Sequence, residues 1–232
     1  MTAIPAVTLE DDDLYPESDG EPMAETELHL EEMIYLIEAL KERFQDRPDV
    51  FVGGNLLFYY RKGDPSAVVA PDAFVVPGIP KRLPRDGRRR KYLLWQEGKA
   101  PCFVAELTSE STRTRDLKVK RDLYEQLGVD EYFLFDPFGE YLDPRLQGFR
   151  LAKGRYQPVT PEPDGSLVST ATRLVFSVEG DHLRLKDAAT GAPLLRREEE
   201  AATLRAEVEA RRAAEERARA LEEELARLRP SS

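Results

Sequence analysis

Residues 101–137 read PCFVAELTSESTRTRDLKVKRDLYEQLGVDEYFLFDP. An apolar run opens the stretch, a basic amphipathic segment follows, and a second apolar, aromatic run closes it. Alternation in CFVAELT puts Phe103, Ala105 and Leu107 on one face of a strand and Cys102, Val104, Glu106 and Thr108 on the other. Residues 111–128 predict a helix that Ser111 or Thr112 can cap and that Gly128 suits as a stop. DEYFLFDP, residues 130–137, predicts the next strand. A strand–helix–strand unit of this length is the pattern of a crossover between parallel strands. The neighbouring strands read as antiparallel, so the predicted class is α/β, a mixed sheet flanked by helices.

Working outward, residues 1–24 are rich in Pro, Gly and acid and predict a loose tail. A globular domain is predicted over 25–190. ETELHLEEMIYLIEALKERFQ, from residue 25, spaces Leu28, Met33, Leu36, Ile37, Leu40 and Phe44 near a 3.6-residue period and predicts an amphipathic helix. VFVGGNLLFYY (50–60) predicts a strand broken or bent at Gly53–Gly54, and SAVVAPDAFVVPGI (66–79) one or two short strands around Pro71–Asp72. Residues 80–98 form a Pro- and Arg-rich connection ending in the sole tryptophan segment, and strands and turns follow residue 138. Residues 194–229, rich in Ala, Glu, Arg and Leu, predict a long charged helix. Leu221, Leu225 and Leu228 fit a heptad seam, whereas Glu207 and Arg211 interrupt it further back. A coiled-coil homodimer and a solvated single helix both remain open.

One cysteine, Cys102, excludes an intrachain disulfide. No basic-then-apolar leader and no membrane-length apolar run are evident, so a cytoplasmic protein without a membrane partner is expected. The net charge of −10 opposes nucleic-acid binding by the chain as a whole. Base is nonetheless concentrated in PKRLPRDGRRRK (80–91) and TRTRDLKVKR (112–121), which leaves a locally basic surface open.

Two carboxylates interrupt apolar strands. Glu106 projects near the C-terminal end of its strand, where sites of parallel α/β sheets tend to lie. It reads either as a wet strand-end glutamate or as a buried acid needing a cation. Asp72 follows a proline and reads either as turn chemistry or as a second ligand. Together the two would make a hard oxygen site suited to Mg²⁺. Thr112, Asp116, Lys120 and Tyr124 recur every fourth residue along the basic helix. Lys120 could reach back to Glu106, or pair with Asp116 on the surface. The chain's two histidines, His29 and His182, do not suggest a histidine-metal centre, and no G-x-S-x-G or phosphate-binding loop occurs.

PDAFVV followed by VAELTSESTRTRDLKVKRDLYEQLGVDEYFLFDP resembles the Uma-two restriction-endonuclease family, within the PD-(D/E)XK nuclease superfamily, over roughly residues 25–180. The resemblance implies a restriction-endonuclease-like core and hydrolysis of DNA phosphodiesters with Mg²⁺, Mn²⁺ being an alternative ion. It carries Asp72 and Glu106 over as metal ligands, with the Leu107 carbonyl as a third, and Asp72, Glu106 and Lys120 as the catalytic set. The superfamily pattern places a lysine two residues after the glutamate, where this chain has Thr108. The family's lysine on the helix matches Lys120, Lys118 lies on another face, and His29 matches a histidine frequent in the family. The alternative is a nuclease-like module without activity that binds nucleic acid or a coiled-coil partner.

Overall fold

The computed structural model describes residues 14–18, 20, 26–83 and 87–228, with side chains through 224. The remainder of the N-terminal tail and residues 84–86 of the basic connection lie outside the described residues. By its internal contacts the chain divides into two units, residues 1–194 and 195–232.

Along the first unit run α1 (Glu27–Arg43), β1 (Val50–Gly53), β2 (Phe58–Tyr59), β3 (Val68–Val69), β4 (Ala73–Pro77), β5 (Tyr92–Leu93) and the single-turn α2 (Leu94–Glu97). Then follow β6 (Phe103–Leu107), α3 (Arg115–Lys120 continued by Arg121–Leu127), β7 (Glu131–Phe135), β8 (Leu146–Ala152), β9 (Arg155–Pro158), β10 (Leu167–Ser169), β11 (Leu174–Glu179) and β12 (His182–Asp187). Helix α3 opens as a wide π turn, Arg115–Lys120, and continues as α-helix over Arg121–Leu127. The second unit is α4 (Arg197–Leu228).

The main sheet has the order β1-β4-β6-β7-β8-β9. Strands β6 and β7 pair in parallel, joined by α3, and every other pairing in that sheet is antiparallel. This is the expected mixed sheet. Its two faces are covered separately, as the alternation in CFVAELT requires. Phe103, Ala105 and Leu107 pack with α1 and with the small sheet β10-β11-β12. Val104 packs on the other face with Phe74, Tyr124 and Tyr132, against α3 and the small sheet β3-β2-β5.

The chain changes sheets at the two places where the sequence breaks. Gly53–Gly54 ends β1 in the main sheet before β2 enters the small one, and Pro71–Asp72 returns the chain from β3 to β4. Close approach requires the glycines. A Cβ on Gly53 would stand 2.3 Å from the Phe74 ring; one on Gly54 would stand 2.2 Å from Ile37 Cδ1 and 2.9 Å from the Asp72 carbonyl oxygen. Gly54→Ala is therefore expected to cost about 1–3 kcal/mol through overpacking, read from the midpoint of urea unfolding.

Two expectations need correction. The tail is not loose at Tyr15, which is fully buried. Its ring packs on Tyr59 and Trp95, its hydroxyl accepts from the Gly63 N–H, and Lys91 donates to its carbonyl. Within the connection 80–98, β5 pairs in parallel with β2. Finally, Thr112 does not cap a helix: its hydroxyl accepts from the Ser109 N–H in the preceding turn. The C-terminal stop is as predicted, with Gly128 at φ 76° and its N–H on the last carbonyls of α3.

Helix α4 spans 32 residues, about 48 Å at 1.5 Å per residue. Leu204, Val208 and Leu221 are exposed along it, and Arg211 pairs with Glu215 at 2.8 Å.

Candidate active site

Register brings Asp72 and Glu106 together. Ala73 faces Ala105 and Phe74 faces Val104 across β4 and β6. One further step along this antiparallel ladder sets Asp72 opposite Glu106, side chains on the same face. The Asp72 N–H lies 3.4 Å from Glu106 Oε2, and the Leu107 N–H donates to Asp72 Oδ2 at 2.7 Å. Each carboxylate is thus tied to the other's strand. His29, from the first turn of α1, brings Nε2 to 3.8 Å from Asp72 Oδ1.

Glu106 is not a wet strand-end residue, being only 1 % exposed. Its Oε1 accepts from the Tyr124 hydroxyl at 2.7 Å, and its Oε2 faces Lys120 Nζ at 2.9 Å. Nor is Asp116–Lys120 a surface pair: both side chains are buried, with Nζ 3.0 Å from Asp116 Oδ1. Lys120 therefore sits between two buried carboxylates. The wide first turns of α3 aim Asp116 and Lys120 at the sheet edge, and π turns of this kind recur at functional sites. Lys118 is exposed. Thr108, two residues after Glu106, has a buried hydroxyl with no hydrogen-bond partner among the described residues.

The electrostatics of this centre are lopsided. Three carboxylates, Asp72, Glu106 and Asp116, face one lysine and a histidine beside Asp72. Burial pushes the Glu106 carboxyl above the usual range; Lys120 pulls it back, while Asp72 and Asp116 push it further up. Burial raises Asp116 too, against the pull of Lys120. The Thr112 hydroxyl and Lys120 both face its carboxylate and favour the charged form. Burial alone would lower Lys120, but Glu106 and Asp116 outweigh it and hold the amine above its ordinary value, hence charged at neutral pH.

A centre with three carboxyl groups around one lysine, two of them raised by burial, offers hard oxygen donors of the kind that suit a divalent cation such as Mg²⁺. Among the described residues, no three His, Cys, Asp or Glu side chains are grouped so as to hold a metal ion. The fit is thus to an ion that takes one or two carboxylates and keeps waters. Asp72 and Glu106 would hold it, with the Leu107 carbonyl beside them.

Sequence reasoning named Asp72, Glu106 and Lys120, but it did not anticipate that Tyr124 would brace Glu106 or that Asp116 would be buried. The four-residue spacing held the signal for both, since it put them on Lys120's stripe. Cys102, just before β6, stands apart. Burial, with help from Asp130 and Glu131, pushes its thiol up to about 12. It is expected to react with a disulfide reagent at pH 8 at least about 10-fold more slowly in the native protein than in urea, thiolate being the reactive form.

Among the described residues, no helix is long and apolar enough to cross a membrane. A solved structure described as "a putative nuclease" from Anabaena variabilis superposes with a TM-score of 0.48 at 16 % identity, covering 67 % of this chain and 81 % of that one. No curated protein matches the sequence significantly. The family profile described as "Putative restriction endonuclease" matches residues 6–179, three quarters of the chain. The chain belongs to this family, Uma2.

Proposed function

We propose that the protein is a Mg²⁺-dependent endonuclease that hydrolyses DNA phosphodiester bonds at the Asp72–Glu106–Lys120 centre. The observation that carries this reading is the meeting, at one sheet edge, of two cross-strand carboxylates and a buried lysine that bridges Glu106 to Asp116. Family membership supports nuclease chemistry independently.

When bound, the divalent ion supplies Lewis-acid polarisation of a phosphate oxygen and a water of lowered pKa. The chain's own groups do the rest. Tyr124 fixes one oxygen of Glu106, and the Leu107 N–H fixes one oxygen of Asp72, so both carboxylates are held before substrate arrives. Lys120 cannot serve as a base while charged. It orients the attacking water and meets the negative charge that grows on the non-bridging oxygens. The water oxygen forms a new bond to phosphorus as the bond to the leaving sugar oxygen breaks. The water gives up a proton to bulk solvent and the leaving oxygen acquires one.

The test is nicking of supercoiled plasmid with Mg²⁺ or Mn²⁺, against an EDTA control. Wild type is expected to nick only with the ion, and Glu106→Gln to be slower by about 10²–10⁴-fold. Equal cleavage by the variant would sink the residue assignment. Absence of cleavage on every DNA form, with binding retained, would favour the non-catalytic binding module.

A further inference from the structure

A cleft of about 480 Å³ opens beside this centre, and five cations line it: Lys41, Lys81, Arg82, Arg88 and Arg89. No carboxylate stands among its described lining residues, on a chain whose net charge is −10. The cleft and the candidate active site share a wall. Gly54 lines the cleft and packs directly against the Asp72 carbonyl, and the neighbouring Asn55 N–H donates to the Pro71 carbonyl at 2.9 Å.

Four of the cations divide into two kinds. Lys81 Nζ donates to the carbonyls of Phe44 and Gln45, at 2.8 and 2.9 Å, and so pins the connection to the C-terminal end of α1. Arg89 forks onto Glu97 at 2.6 and 3.0 Å, donates to the Pro80 carbonyl, and lies over the Phe51 ring at 4.4 Å. These two build the wall. Lys41 and Arg88 are exposed and make no ion pair among the described residues. Cations gathered on a fixed wall repel one another, and a polyanion is the ligand that relieves the repulsion.

Scale favours a strand over a lone anion. Lys41 lies three turns beyond His29 on α1, about 18 Å along the axis, or roughly five nucleotide steps at 3.4 Å per step in one strand of B-DNA. We infer that the cleft seats the sugar-phosphate backbone of the nucleic-acid strand running away from the scissile bond, with Lys41 and Arg88 as its phosphate-binding groups. The inference rests on the nuclease reading for the position of the scissile bond.

The test measures binding of a labelled duplex by full-length protein carrying Glu106→Gln, with and without Lys41→Gln and Arg88→Gln together, across a range of salt. The added pair is expected to weaken binding about 10–100-fold at 0.1 M salt and to lower the salt slope by about 2, near 0.9 for each phosphate contact, with the melting temperature unchanged. In the cleaving wild-type background the same pair should raise KM with kcat held, the mark of uniform binding. An unchanged slope, or no duplex binding at all, overturns the inference. So does loss of binding to inorganic phosphate or a mononucleotide while duplex affinity stays, which would make the cleft a small-phosphate site. A duplex affinity that depends on Lys41 and Arg88 in a protein that never cleaves would sink the nuclease reading alone.

Discussion

Lys120→Met is expected to destabilise the protein by about 3–5 kcal/mol in EDTA, because it leaves two buried carboxylates without their shared cation. Glu106 and Asp116 both face Nζ, at 2.9 and 3.0 Å, and neither has a second cation in contact among the described residues. Removing Glu106 is milder, since Lys120 keeps Asp116. The order of stability in EDTA should therefore be wild type, then Glu106→Gln, then Lys120→Met, read from urea midpoints at pH 7.

The same substitution distinguishes a metal site from a plain buried ion pair. A divalent ion that binds the folded state alone stabilises it by mass action, about 2.7 kcal/mol at a concentration 100 times its dissociation constant. Lys120→Met makes the centre more negative, so Mg²⁺ or Mn²⁺ should raise its melting temperature more than that of wild type. Catalysis should not return with the stability, because the group that meets the developing phosphate charge is gone. A variant that melts identically with and without the ion would argue that Asp72 and Glu106 hold no cation.

Much of this centre was legible from residues 101–137 because local pattern carried it. Period-two alternation set the faces of β6, and spacing by four put Asp116, Lys120 and Tyr124 on one stripe. The register that sets Asp72 opposite Glu106 was not legible, since it depends on β4 and β6 being neighbours across 34 residues of sequence. The same holds for Tyr15. A single aromatic anchor in an acidic tail has no periodicity, and its partners, Tyr59 and Trp95, lie far along the chain. The wide turn at the start of α3 escaped for another reason: a π turn differs from an α turn by one residue in its hydrogen bonding, which composition does not encode. As for the basic connection, composition revealed its charge but not that Lys81 and Arg89 are spent on the protein itself.

Glu131 illustrates how a catalytic-looking acid can be structural. It opens β7 as Glu106 sits near the end of β6, is equally buried, and interrupts an equally apolar run. Its partners are of another kind. Arg150 donates to Oε1 at 2.8 Å, the Ser169 hydroxyl to Oε2 at 2.5 Å, and the Thr170 N–H, Thr170 hydroxyl and Ala171 N–H complete the shell at 3.0, 2.8 and 3.2 Å. Every oxygen is satisfied by the chain, which leaves no room in its hydrogen bonding for a ligand. Burial pushes its pKa up, but the bonds from Ser169, Arg150 and Thr170 outweigh this and hold it below the usual carboxylate range. Glu131→Ala is expected to cost about 3–5 kcal/mol by orphaning these donors and unpinning the turn after β10 from the main sheet. A depressed pKa means the contribution is complete above the unfolded-state value, about 4.3 for glutamate, and is lost as pH falls through the lower folded value. The stability gap between wild type and Glu131→Ala should accordingly be constant from pH 6 to 8 and narrow below about pH 4, measured by urea unfolding across that range. A gap independent of pH throughout would show that Glu131 acts by packing and not by its charge.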